Sequence, residues 1–334
     1  MSLILSSQLS RRRLLHVGGT LAASFAMGPV KRSAAQSPAA SAFPTTWTFG
    51  DVTVTKVVDL LDPFDAARAY PGAPLDAFDE NASWLVPHFY DPAQKAILFS
   101  FHSYIVRTPR RTMVFETGIG NDKVRKTLTA FNMRRGPYLD NLRAAGVRPE
   151  DVDVVASSHF HSDHIGWNTR RQEERWVPTF PKAKYLFSRA EVANVQNRIA
   201  DGTGDLVSYN DSIRPILDSG QAEVIDRDTP VDDGVTIVAS TGHTPGHQSV
   251  NINSKGRRAV LAGDILHNPI EVLHPEWICV FDQDKTDGIK GRQVFLDAHT
   301  DVDITVFAAH FGGPTAGHIV SDKNGRRTFK TLVG

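Results

Sequence analysis

Cysteine is nearly absent from this chain of 334 residues, in which Cys279 is the only one. A single cysteine excludes an intrachain disulfide and any zinc module built from several cysteines. Thirteen histidines stand against that one cysteine. We therefore expect any metal chemistry to use imidazole and carboxylate ligands.

Net charge is also absent, because 37 Lys and Arg residues balance 37 Asp and Glu residues. The balance hides an uneven distribution, since the first 35 residues hold five basic residues and no acidic one. The rest of the chain carries 32 basic against 37 acidic residues, and a mildly acidic body binds polyanions poorly. We expect a small-molecule substrate and no nucleic-acid partner, and a homodimer is left open.

Two common catalytic motifs are missing. The chain contains no Gly-x-Ser-x-Gly, and no glycine-rich phosphate loop precedes a predicted helix. These absences argue against a serine hydrolase and a nucleotide-binding enzyme. With 41% hydrophobic and 22% charged residues, the composition is that of an ordinary globular protein with a sizeable core.

The N-terminus has the pattern of an export signal. Three arginines, 11–13, precede a mainly apolar run over 14–27, and small residues follow at 33–35. The run is too short for a comfortable transmembrane span, and the paired arginines resemble the bacterial twin-arginine signal. We expect a signal peptide at 1–35, a flexible linker at 36–46 and one domain at 47–334. The predicted location is periplasmic or secreted, without membrane association once the signal is removed.

Strands and helices alternate in the predicted domain, which indicates an α/β layered fold. Apolar runs and period-two alternation predict strands, and helical spacing with end signals predicts helices. The predicted strands are 52–58, 103–106, 112–115, 152–156, 184–187, 235–240, 259–262 and 304–308. The predicted helices are 122–146 with a break at 136–137, 189–199 capped by Ser188, and one within 284–299.

Four predicted strands end in residues that bind metals. His159-Phe160-His161-Ser162-Asp163-His164 directly follows the strand at 152–156, and its alternate spacing allows His159 and His161 to bind one ion. Asp163 and His164 are then offset toward a second ion. Three further strand ends carry the same types of residue. They are Gly242-His243-Thr244-Pro245-Gly246-His247, Gly263-Asp264 and His310.

In order and spacing, these motifs resemble the metallo-β-lactamase-fold hydrolases over roughly residues 47 to 320. The resemblance implies a four-layer αβ/βα sandwich with two metal ions at one edge. The lactonase, glyoxalase II and methyl-parathion-hydrolase branch is the most similar. The ligands that the resemblance implies are His159, His161 and His247 for the first ion, Asp163, His164 and His310 for the second, and Asp264 bridging both.

The implied activity is hydrolysis of an ester, lactone or phosphotriester by a hydroxide that bridges two Zn²⁺ ions, with iron or manganese as other candidate metals. Asp163 is the candidate catalytic residue, because a free carboxylate oxygen could steer the nucleophile and pass its proton to the leaving group. Three alternatives stay open: an iron-dependent oxygenase of the persulfide dioxygenase type, a β-lactam or thioester hydrolase, and a non-catalytic binder.

Some residues depart from the family pattern, and the roles of others are not decided by the sequence. Glu116 stands where many members have aspartate, and Gly166-Trp167-Asn168 replaces a common Gly-Gly. Trp167 is expected at the mouth of the site, where an indole would favour uncharged, apolar substrates. His243 is either a residue that orients a ligand or a simple loop residue. The candidate substrate-binding residues are Trp167, His267, Trp277 and Phe281.

Overall fold

The computed structural model describes residues 45–332. The predicted signal peptide at 1–35 lies outside the described residues, and so does most of the predicted linker. The last two linker residues, Thr45 and Thr46, belong instead to the first strand, where they pair with Lys56 and Thr55. Within the described range, no helix is long and apolar enough to cross a bilayer.

The strands follow one another as short segments, apart from two long ones that form an antiparallel pair. In chain order they are β1 (Thr45–Phe49), β2 (Val52–Asp65), β3 (Tyr90–Asp91), β4 (Ala96–Arg107), β5 (Thr112–Phe115), β6 (Val154–Ala156), β7 (Thr169–Gln172), β8 (Arg175–Pro178), β9 (Lys184–Ser188), β10 (Ala222–Ile225), β11 (Thr229–Asp232), β12 (Val235–Ala239), β13 (Gln248–Ser254), β14 (Arg257–Leu261), β15 (Thr305–Phe307), β16 (Ala316–Ser321) and β17 (Arg327–Thr331).

These strands form two large sheets and one small hairpin. The first sheet has the order β1-β2-β4-β5-β6-β9-β10, with β3 paired to β4, and its β5-β6-β9-β10 part is parallel. The second sheet has the order β11 to β17, in which only β14 and β15 are parallel neighbours. β7 and β8 pair with each other. Consequently β6 and β14, which precede two of the predicted ligand motifs, lie inside their sheets.

Short helices connect and cover the sheets. In chain order they are α1 (Ala66–Ala69), α2 (Asp76–Glu80), α3 (Ala82–Leu85), α4 (Tyr138–Ala144), α5 (Arg189–Ala200), α6 (Leu206–Ser208), α7 (Arg214–Asp218), α8 (Ile270–Leu273) and α9 (Lys285–His299). The Ser188 side chain accepts a hydrogen bond from the backbone N–H of Glu191, which confirms the predicted cap of α5. Asp284 caps α9 in the same way.

Three apolar clusters show the order of the layers. The central cluster joins side chains of the two sheets, for example Val54 and Tyr104 of the first with Ile237 and Val250 of the second. Another cluster packs the first sheet against α4 and α7. The remaining cluster includes α9 and the second sheet. Because each sheet has a helical layer on its other face, the predicted four-layer α/β sandwich is confirmed.

The predicted helix at 122–146 is wrong over its first half. Only Tyr138–Ala144 is helical, and the preceding residues form turns. Asp122 and Met133 have positive φ angles of 60° and 51°, which an α-helix does not tolerate. The apolar residues of this segment contact the core individually rather than along one helical face. The Phe131 ring, for example, packs against that of Phe101 with 5.0 Å between the ring centroids.

Candidate metal centre

The loop after β6 and the loop after β12 bring three imidazoles together. Nε2 of His243 lies 3.1 Å from Nε2 of His159 and 3.0 Å from Nδ1 of His161. Nδ1 of His243 donates to Oδ1 of Asp282 at 2.9 Å, so its Nε2 presents a lone pair to the two other rings. These three side chains form one group of candidate metal ligands.

The structure corrects the expectation that His247 completes this group. Nδ1 of His247 lies 2.9 Å from the carbonyl oxygen of Ser240, and its Nε2 accepts the backbone N–H of Asp264 at 3.0 Å. Both ring nitrogens are therefore engaged in fixing two loops, and His243, rather than His247, lies with His159 and His161 in the group of candidate ligands. The sequence contained this histidine in the same motif, but spacing alone could not separate two histidines four residues apart.

A second group lies beside the first. Asp163, His164 and His310 place their ligand atoms within 4.8 Å of one another. Oδ2 of Asp163 is 3.4 Å from Nε2 of His164 and 3.5 Å from Nε2 of His310. The site that the sequence predicts for a second ion is thus assembled from the loop after β6 and the residue that follows the β15 segment.

Asp264 lies between the two groups. Its Oδ2 atom is 3.2 Å from Nε2 of His164 and 3.1 Å from Nε2 of His310, on the side of the second group. The same oxygen is 3.6 Å from Nε2 of His243 and 3.9 Å from Nε2 of His159, on the side of the first. One carboxylate oxygen therefore faces both groups, as a bridging ligand would.

The donor set fits metal cations. Asp264 Oδ1 and Nε2 of His164 are buried and have no hydrogen-bond partner. Burial also lowers the pKa of His161 to about 4 and holds the pKa values of His159 and His243 well below their usual range. Neutral imidazoles such as these three, next to carboxylates, are the ligands that Zn²⁺ and related ions take.

The two carboxylates of the centre remain ionised. Burial alone would raise the pKa of Asp163, but His164 and His310 lower it to about 2. The pKa of Asp264 is also held well below its usual range, because the same two histidines outweigh the effect of burial. Asp163 is the more exposed of the two, with 16% of its side chain accessible against 3% for Asp264. The centre therefore opens to solvent on the side of Asp163.

Glu116, which replaces the aspartate common in the family, supports the ligand loop. Its Oε2 atom lies 3.1 Å from Nδ1 of His164 and accepts the backbone N–H of Ser158 at 3.2 Å. Carboxylates behind ligating histidines fix the ring orientation and the tautomer. The longer side chain reaches both partners from a residue with φ of 63°, so a carboxylate still lies behind His164 despite the departure from the family pattern.

Trp167 does not lie at the mouth of the site, contrary to the expectation. It is 3% exposed, stacks on Tyr138 at 5.2 Å between ring centroids, and its indole N–H donates to Oδ2 of Asp59 at 3.1 Å. The 3₁₀ turn at Gly166–Asn168 takes the chain inward. The turn packs so closely against a second loop that a Cβ atom at Gly166 would lie 1.9 Å from the Ile119 carbonyl oxygen.

The other three predicted substrate-binding residues divide between the core and the site. Trp277 packs on Tyr70 and Phe78 in the core, so its predicted contact with substrate is not supported. His267 is brought to the centre, where its Nε2 lies 3.6 Å from Oδ2 of Asp264. Phe281 is half-buried, and its ring lies 5.5 Å from that of His267.

Two aromatic residues at the site were missed by the sequence analysis. The rings of Phe99 and Phe101 lie 5.2 Å and 5.1 Å from that of His310, and Phe99 also contacts Phe281 at 5.5 Å. Phe99, Phe101 and Phe281 form what we call the aromatic wall. The period-two spacing of the two phenylalanines on β4 predicts a common face, but the sequence did not show which face would meet the ligands.

Comparison with known proteins identifies the class. A family model described as the metallo-beta-lactamase superfamily matches residues 99–306, more than half of the chain. The chain belongs to this superfamily.

Individual relatives are more distant. An N-acyl homoserine lactonase from Bacillus cereus is 31% identical over 120 residues, which are 36% of this chain and 40% of that lactonase. A Bacillus thuringiensis lactonase is 28% identical over the same length. The chain therefore matches less than half the length of these curated relatives.

Solved structures show the same fold over nearly the whole chain. The hydrolase AbOPH of the beta-lactamase superfamily superimposes with a TM-score of 0.72 at 21% identity, over 88% of this chain and 99% of that one. AidC, a dizinc quorum-quenching lactonase, gives a TM-score of 0.71 at 20% identity, over 87% and 98%. At this level of identity the likeness shows the fold alone.

Proposed function

We propose that the protein is a binuclear zinc-dependent hydrolase that cleaves a neutral, apolar ester or lactone, with phosphotriesters as the next candidate class. The observation that carries the proposal is the position of Asp264, whose single Oδ2 atom faces two separate groups of candidate ligands. The matched lactonases and the dizinc lactonase with the same fold support the substrate class and the metal.

The residues of this chain would hold two zinc ions with distinct ligand sets. His159, His161 and His243 would hold the first, Asp163, His164 and His310 the second, and Asp264 both. Zinc bound here would supply a Lewis acid and lower the pKa of a bound water. Asp163, an ionised carboxylate at the solvent-facing side, is placed to orient the attacking water and to hold its proton at Oδ1 or Oδ2 for the leaving group.

The aromatic wall supports a preference for apolar acyl or aryl groups. Phe99, Phe101 and Phe281 pack beside His310 and His267, and the half-buried ring of Phe281 is the one placed to offer apolar surface to a substrate. A small anionic substrate would have to lose its hydration against these rings, which costs free energy. The aromatic wall would therefore provide the apolar substrate contact that the sequence analysis expected from Trp167.

Metal analysis combined with a substrate panel tests the proposal. Protein purified without chelator should contain close to two zinc ions per chain, and it should hydrolyse lactones or aryl esters faster than glutathione thioesters or β-lactams. His159→Ala and Asp264→Ala should abolish this activity and lower the thermal stability, since metal binding is linked to folding.

Three outcomes of this experiment would contradict the proposal. A metal content near zero would exclude a metallohydrolase. One iron per chain with sulfur dioxygenase activity would identify the oxygenase alternative instead. Preferred hydrolysis of thioesters or β-lactams would retain the metal centre but replace the proposed class of substrate.

We also propose that the chain is exported through the twin-arginine route to the periplasm or beyond. The proposal rests on Arg11, Arg12 and Arg13 before the apolar run. This route carries folded proteins, which suits an enzyme that would load its metal before export.

A further inference from the structure

Behind the metal centre lies a buried guanidinium that belongs to none of the candidate ligand groups. Arg292 of α9 is 1% exposed, and its Nη1 donates to the carbonyl oxygens of Pro275 and Trp277 at 3.0 and 2.8 Å. Its Nη2 donates to Oδ2 of Asp282 at 3.1 Å and forms an ion pair with Oε1 of Glu271 at 3.3 Å. One cation therefore pairs with two buried carboxylates, one on α8 and one in the segment before α9.

Each of these carboxylates also accepts hydrogen bonds from a different part of the metal centre. Asp282 accepts the Nδ1 hydrogen of His243 at 2.9 Å, which leaves Nε2 of that ring free to face His159 and His161. Glu271 accepts the backbone N–H groups of His267 and Asn268, directly after the turn that carries Asp264. The Arg292 side chain thus connects, through two acids, to one candidate ligand and to the loop of another.

The helix that carries Arg292 is held tightly against the same loops. A Cβ at Gly291 would come within 2.6 Å of the Thr241 carbonyl oxygen and 2.8 Å of Cα of Gly242. A Cβ at Gly288 would overlap the carboxylate of Asp282 at 2.3 Å. The backbone of α9 therefore lies directly on the loop before His243, and small shifts of the helix would move that ring.

We propose that Arg292 is a positioning residue for the metal centre, which sets the orientation of His243 through Asp282 and the position of the Asp264 loop through Glu271. The inference rests on the metal binding of the proposed function. Without the guanidinium, Asp282 and Glu271 both lose a buried, hydrogen-bonded cation, a state that costs much free energy unless the segments that carry them move. Outer partners of metal-ligating histidines contribute about 10- to 100-fold to metal affinity.

The chain offers a matched control. Arg125 is a second buried arginine, 4% exposed, whose guanidinium pairs with Asp211 at 2.7 Å and also donates to the Val124 carbonyl oxygen. Neither partner is a candidate ligand or one of the two acids behind the centre. Arg125→Met therefore reports what the loss of a buried ion pair does to the fold alone.

Zinc affinity and the visible spectrum of the Co²⁺-loaded protein test the proposal without using activity. In competition with a chromophoric chelator, Arg292→Met should bind the more tightly held of its two Zn²⁺ ions roughly 10- to 100-fold more weakly than the parent does. The affinity of Arg125→Met should match that of the parent. The Co²⁺ d–d bands should shift in Arg292→Met alone. Arg292→Lys, which retains the positive charge, should recover part of the affinity.

Equal affinity and equal Co²⁺ spectra in Arg292→Met, Arg125→Met and the parent would overturn the inference while the hydrolase proposal stands. If Arg292→Met does not fold, Asp282→Asn decides the matter, since it keeps the size of the side chain but removes the carboxylate charge between Arg292 and His243. Parental affinity and spectra in this variant would then overturn the inference. A parent chain that binds zinc but hydrolyses no member of the panel would contradict the proposed function and leave this inference intact.

Discussion

Nε2 of His243 lies 3.0 Å from Nδ1 of His161, while Nε2 of His247, four residues further on, accepts the backbone N–H of Asp264. Two histidines of one motif thus have different tasks: the first offers a lone pair to a cation, and the second joins two loops. This assignment can be tested by metal content.

His243→Ala should lower the zinc content from close to two ions per chain toward one, because a ligand of the first group is lost. His247→Ala is the matched variant and should retain close to two ions, since both of its ring nitrogens serve protein groups. Elemental analysis of the two purified variants makes the comparison. The opposite pattern, with metal lost from His247→Ala alone, would restore the assignment that the sequence suggested.

Phe281→Ala should raise KM for the best apolar substrate by roughly 10-fold, which corresponds to about 1.4 kcal/mol of binding free energy. The reason is the loss of the half-buried ring beside His267. Zinc content should not change, because phenylalanine is not a ligand. Val280→Ala, an exposed neighbour on the same segment, should leave KM unchanged. Parental kinetics in Phe281→Ala would show that the aromatic wall does not contact substrate.

Trp167→Ala should reduce the free energy of unfolding by about 3–5 kcal/mol, because it removes a stacked, hydrogen-bonded core side chain. Zinc content should stay near two ions, and KM should change little in the fraction that remains folded. Denaturant unfolding and steady-state kinetics measure the two effects separately. A raised KM with unchanged stability would place the indole in the substrate pocket after all.

Stability should rise with pH between about 7.5 and 9.5 through two buried lysines. Burial lowers the pKa values of Lys56 and Lys123 to about 7 each, whereas an unfolded lysine titrates near 10.4. In this window the unfolded chain binds more protons than the folded one, so raising the pH stabilises the folded state.

Replacing one of these lysines isolates its contribution. Lys56→Met should reduce the slope of the unfolding free energy by up to about 1.4 kcal/mol per pH unit. Lys255→Met, at an exposed lysine paired with Asp51, should leave the slope unchanged. Denaturant unfolding at several pH values gives both slopes. A parental slope in Lys56→Met would show that this amine stays protonated inside the fold.

Simultaneous replacement of Arg11, Arg12 and Arg13 by lysine should leave a full-length precursor in the cytoplasm, because the twin-arginine pair is the recognised element of such signals. Cell fractionation with an antibody against the folded domain measures the distribution. All three positions are changed because a third arginine could replace a lost partner. Undiminished mature protein in the periplasm would refute the proposed export route.

Local patterns determined most of the strands and the place of the chemistry. Apolar runs such as 152–156 and 184–187 are buried in the sheets, and each predicted strand that precedes a ligand motif exists close to its predicted range. Histidines and aspartates directly after buried strands must lie at sheet edges. Their residue types and their recurrence at four strand ends then favour metal binding.

Only the tertiary structure decided which side chains meet. His243 and His247 stand in one motif, and the contacts to Asp282 and Asp264 from distant segments assign their roles. Trp167 follows the ligand loop so closely that proximity suggested the pocket, but Tyr138 and Asp59 draw it into the core. Side-chain direction after a turn depends on packing partners far along the chain, and periodicity and spacing carry no information about those partners.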